Sequence, residues 1–126
     1  MDFNAYQALL YKKLKEVTLD GVEVAIYDKV PANAKFPFII IGNYEFDEGE
    51  LKDSSFTIAQ NIEIWSDYQG KKEINSMVSL ALAKAKELAP TELGDLAIDS
   101  VYAMPSTVRE VEGFFNANLM VNFTLY

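Results

Sequence analysis

Near the start of the chain apolar residues return at steps of three and four. Phe3, Tyr6, Leu10, Leu14 and Val17 fall on one stripe, which predicts an amphipathic helix over residues 3–17. Asp2 is placed to accept from the free amides of the first turn. Lys12, Lys13 and Lys15 sit late, where they oppose the negative end of the helix dipole. Leu19, Asp20 and Gly21 close the helix. The period then falls to two. Residues 22–27 predict a strand with Val22, Val24 and Ile26 on one face. After a loop over residues 28–35, residues 36–46 predict a second strand. Its beginning is apolar on both faces, which argues for a central place in a sheet. Simple alternation puts Phe38, Ile40, Gly42, Tyr44 and Phe46 on one side. Ile39, Ile41, Asn43 and Glu45 take the other. A third strand over residues 55–65 carries Phe56, Ile58, Ile62 and Ile64 on one face, interrupted by Gln60. Between these strands, residues 47–53 hold four acids around Gly49 and predict the exposed tip of a long antiparallel hairpin.

Helical spacing returns at Ile74, Met77, Val78, Ala81, Ala85 and Leu88, predicting a helix over residues 70–88 that Pro90 stops. Ser66 or Asp67 is the expected cap, with Gln69 in support. A loop over residues 91–95 precedes strands at 96–104 and 107–112, which Pro105 separates. Gly113 marks a turn, and alternation then runs from Phe114 to the last residue. The expected fold is α+β in one domain, residues 1–126. A mixed, mainly antiparallel sheet carries two helices packed on one face, in the order α-β-β-β-α-β-β-β. The opposite face is partly polar, with Thr57, Asn61, Glu63, Asn116, Asn118 and Asn122. Such a face can be wetted or can pack against a neighbouring subunit.

Composition narrows the chemistry. The 126 residues include neither histidine nor cysteine. Serine–histidine and cysteine–histidine nucleophile systems are therefore excluded, as is thiol chemistry. The six glycines form no phosphate-cradling motif. The acids at 47, 48, 50 and 53 lack the alternate spacing and terminal glutamate of a calcium loop. Glu110 and Glu112 share a strand face beside Arg109, and they read as a charged edge that discourages unwanted pairing. Trp65 reads as a half-buried sheet residue. Tyr44 and Phe46, beside the acidic loop, are either an interface anchor or hairpin packing. The net charge of −8 makes the chain a poor grip for nucleic acid. It is compatible with lining a passage through which DNA slides without sticking. No apolar run approaches the roughly 18 residues that span a membrane, and the first residues lack the pattern of a signal peptide.

Several segments in succession resemble a known family. They are Tyr6-Gln-Ala-Leu-Leu in the first helix, Val24-Ala-Ile-Tyr-Asp-Lys-Val-Pro and Phe36-Pro-Phe-Ile-Ile-Ile-Gly. Ile62-Glu-Ile-Trp-Ser with Gly70-Lys-Lys-Glu-Ile comes next, then the alternating last strand after Arg109-Glu-Val-Glu-Gly. Their order resembles the tail-completion (tail terminator, head-to-tail joining) proteins of long-tailed bacteriophages and prophages. The resemblance implies a virion subunit that forms a hexameric ring, caps the tail tube and docks on the head connector. It also implies assembly in the bacterial host cytoplasm, with DNA passing through the lumen. It implies no enzymatic activity, no cofactor and no metal. Expected contacts outside the subunit are Tyr44, Phe46, Asp47, Glu48, Glu50 and Asp53 on the hairpin, with Lys29 and Lys35 on the proline-bounded loop. The alternatives are another tail or connector subunit of the same particle and a small intracellular binding module.

Overall fold

The computed structural model describes residues 1–49 and 55–126. Helix α1 spans Phe3–Leu14, and Asp2 caps it by accepting from the Ala5 amide at 3.0 Å. The helix stops earlier than its stripe implies. The amides of Glu16 and Val17 reach back only three residues, to Lys13 and Leu14, and tighten the last turn. Val17 is still fully buried, and its carbonyl accepts from the Val24 amide. Strands β1 (Thr18–Leu19) and β2 (Val22–Glu23) form a small hairpin. Its turn is Asp20-Gly21, both with positive φ, the signature of a two-residue hairpin turn. The expected single strand over residues 22–27 is thus divided. Val22 lies on this outer hairpin and is 68% exposed, whereas Val24 and Ile26 are buried.

The main sheet has six strands: β3 (Ala25–Tyr27), β4 (Phe38–Glu48), β5 (Phe56–Ser66), β6 (Thr91–Leu93), β7 (Leu96–Val111) and β8 (Phe114–Leu125). Their spatial order is β3-β4-β5-β8-β7-β6. β3 runs parallel to β4, and every other neighbouring pair is antiparallel. Helix α2 (Lys72–Lys86) follows β5. The expected α+β class and element order hold, with both helices on one face. Within that order, residues 91–93 form a short strand where a loop was expected. Residues 96–111 form one strand, which absorbs Pro105 at a register shift between Met104 and Thr107. Lys71 stands at the α2 N-cap without a side-chain bond. Ser66 instead donates to the Glu73 carboxylate at 2.8 Å and accepts from the Tyr68 amide.

The core lies between the helices and the sheet. Ile39, Ile64 and Ala117 form one cross-strand row and Ile41, Ile62 and Leu119 the next. Tyr6, Leu10 and Leu14 of α1 and Ile74, Met77, Ala81 and Ala85 of α2 close over these rows, all buried. Each large aliphatic side chain removed from water contributes about 1.5–3 kcal/mol. Where the C-terminal ends of the helices meet, Lys13 and Lys84 each bridge Glu16 and Glu87 at 3.2–3.4 Å. The Lys84 ammonium bonded to Glu16 holds that carboxyl below the usual carboxylate range, and the same bond raises Lys84.

Candidate assembly surface

The aromatic residues expected to contact neighbours are placed by a bulge. Ile41 pairs with Ile62, but Tyr44, three residues on, pairs with Gln60, two residues back. One extra residue therefore sits in β4 and reverses the alternation. Tyr44 and Phe46 consequently join Ile39 and Ile41 on the helix side, contrary to simple alternation. Gln60 is the reason the bulge is stable. Its carboxamide is fully buried opposite the bulge and donates to the carbonyls of Gly42 (2.9 Å), Asn43 (3.4 Å) and Asn61 (2.9 Å). Its oxygen accepts from the Tyr6 hydroxyl at 2.7 Å. Burial, with Tyr44 nearby, pushes the Tyr6 phenol far above its ordinary pKa, so it remains a donor. The polar residue that interrupts the apolar face of β5 thus satisfies carbonyls that the bulge displaces.

Beyond the bulge, Tyr44 and Phe46 rest on the start of α1. Phe3 stacks on Tyr44 with ring centroids 5.6 Å apart and meets Phe46 edge-on at 4.9 Å, while Phe46 stacks on Phe56 at 5.5 Å. Each still exposes 40% of its surface. They are packed within the hairpin and also available at its rim. Asp47 and Glu48 belong to β4 itself, where a loop was expected, and both are exposed. Glu50 and Asp53 lie outside the described residues. Lys29 and Lys35 are exposed on the loop before β4. Ten residues of strand, roughly 30 Å, separate that loop from Glu48, so the two lysines do not join the acidic group. The loop is anchored where Phe36 stacks on Phe114 at 4.7 Å with parallel rings and meets Phe38 at 5.2 Å.

The sheet face away from the helices is open except where Phe36 lies against Phe38 and Phe114. Register aligns Thr57 with Thr124, Asn61 with Met120, Glu63 with Asn118 and Trp65 with Asn116. This is the expected mixed face. Asn116 and Asn122 are nevertheless buried within it, and Asn116 bonds the Ile64 carbonyl and accepts from Asn118.

Both lateral edges of the sheet are partly bare, a feature that the sequence pattern indicated only for the stretch containing Arg109. β3 covers β4 only at Phe38, Ile39 and Ile40, and β6 covers β7 only at Leu96, Ala97 and Ile98. Residues 44–48 on one side and 99–111 on the other have no strand neighbour outward among the described residues. Within the latter stretch Arg109 and Glu110 are exposed. Among the described residues no three histidine, cysteine, aspartate or glutamate side chains converge to hold a metal ion.

The layout is that of a two-layer α+β domain with a helix-covered sheet face, an open one and two unpaired edges. Among solved structures, one chain of the virion of native gene transfer agent (GTA) particle has this fold. The TM-score is 0.74 with 19% sequence identity, covering 98% of this chain and 96% of that one. At that identity the likeness establishes the fold. No protein-family profile matches the sequence, and no curated protein matches it.

Proposed function

We propose that this chain is a structural subunit of a phage-like virion that assembles as a ring at the tail–head junction. The observation that carries the reading is the likeness in fold to a chain of a gene transfer agent virion over 98% of this chain and 96% of that one. The succession of motifs that resembles tail-completion proteins points the same way. In this reading the subunit forms a homo-hexamer that caps the tail tube and contacts the tube and connector proteins. DNA passes through the ring without specific binding, which suits a net charge of −8. No catalytic step is assigned to it.

The test is assembly. The purified chain is measured by solution mass and negative-stain imaging, alone and with tail-tube and connector proteins. Rings of six, or a cap on the tube end, are expected. A chain that stays monomeric and associates with neither partner overturns the reading.

A further inference from the structure

We propose that the two bare sheet edges are complementary halves of one interface. Residues 107–110 of one copy add antiparallel to residues 44–47 of the next. The inference rests on the ring reading above and specifies how its subunits join.

Direction is the first argument. Successive antiparallel pairings from β4 through β5 and β8 to β7 leave the two edge strands running in opposite senses. A second copy placed beside the first with its helices on the same side therefore meets it through an antiparallel ladder. Such a contact uses two different surfaces and is head-to-tail, the kind of interface that generates rings.

The side chains supply the second argument. Pairing Phe46 with Val108 fixes the register. Both are half-exposed, at 40% and 38%, and both face the helix side. Tyr44 then lies opposite Glu110, with its hydroxyl able to donate to the carboxylate. On the open face Glu45 falls opposite Arg109 and Asp47 opposite Thr107. Arg109 is the sole arginine of the chain, and among the described residues it forms no ion pair within its own subunit. The register brings it beside two carboxylates. No residue has to change faces for these four pairs to form.

Space is the third. Along β4 where β3 stops, Gln7, Asp28, Ile41, Gly42, Asn43 and Tyr44 line an open cleft of about 390 Å³, which leaves the edge approachable. On β7, Pro105 and the register shift interrupt the edge above residue 107. They begin a continuous ladder at residue 107, and residues 107–110 each have an amide hydrogen.

The chain has no cysteine, so the register can be trapped directly. Asp47→Cys and Thr107→Cys, both at exposed positions, are made in separate chains, mixed and mildly oxidised. The expected product is the 47–107 heterodimer, exceeding both homodimers. A single chain carrying both substitutions is expected to give a covalent ring. In parallel, Arg109→Glu is expected to weaken assembly at least about tenfold, and adding Glu45→Arg to restore it. Rings that form with no preference for the 47–107 link leave the ring reading standing and overturn this interface. Cross-linking of position 47 or 107 to tail-tube protein in place of a second copy overturns it too. Absence of rings, caps and cross-links alike overturns both.

Discussion

The two ends of β4 are built from the same kinds of residue and are put to different uses. At its start, Ile39 is fully buried, with β3 on one side, β5 on the other and the core beneath. At its end, Tyr44 and Phe46 have β5 on one side only and keep much of their surface in water. Gln60 and the bulge stand between these halves. Apolar character alone therefore does not distinguish a core strand from an assembly edge. What distinguishes them is whether a neighbour occupies the second side.

The comparison breaks most sharply if the enclosed half is hollowed out. Ile62→Ala, in the fully buried row with Ile41 and Leu119, is expected to cost about 3 kcal/mol in denaturant unfolding. Gln60→Leu tests the hinge between the halves. It strands the Gly42 carbonyl and the Tyr6 hydroxyl and is expected to cost about 2 kcal/mol. Tyr6→Phe is expected to cost about 1 kcal/mol. The double variant should lose less than the sum, because the two groups share one bond. Gly42→Ala probes the bulge itself. A Cβ there meets the Asn61 side chain and, at 3.2 Å, its carbonyl oxygen, so a loss of about 1–2 kcal/mol is expected. An unchanged Gly42→Ala would show that the bulge has more room than its geometry allows.

Smaller effects belong to the surface. Glu16, whose carboxyl is held low by Lys84, stabilises the fold above its unfolded pKa of about 4.3. That contribution disappears as pH falls through the lower folded value. Lys84 is held high, so its share is present below about 10.4 and is lost as pH rises through its folded value. Glu16→Gln should flatten the acid side of a stability–pH curve, and the change should be small because both groups are solvated. Smallest of all, Arg109→Ala should shift monomer stability by no more than about 0.5 kcal/mol. A large loss there would mean that the β7 edge supports its own subunit after all.

Legibility in the sequence followed the range of the interactions. Both helices, the apolar stripes of α1 and α2 and the alternation of β8 depend on residues a few positions apart, and each was readable. Gln60 was visible as an interruption on the apolar face of β5, but its role was not. That role depends on Tyr6, 54 residues away, and on the Gly42 carbonyl, 18 residues away. Asp20-Gly21 was recognisable as punctuation. That it turns a hairpin and does not merely end α1 depends on Val22 pairing back to Leu19. Of the expected contacts, Tyr44, Phe46, Asp47 and Glu48 lie together on one bare edge, while Lys29 and Lys35 sit at the far end of the strand.

By itself the sequence determined the α+β class, the two amphipathic helices, the paired strands and the lack of histidine and cysteine chemistry. These follow from local periodicity and composition. The tertiary structure alone decided which way Tyr44 and Phe46 point, because one extra residue in β4 inverts every later side chain. It also decided which strands are left at the edges, because strand order is set by pairings between distant segments. β5 brings β8 to its side, and β8 in turn carries β7 outward. Phe46 and Val108 are ordinary apolar positions in the chain. They become candidates for meeting across two subunits only once the sheet ends where it does.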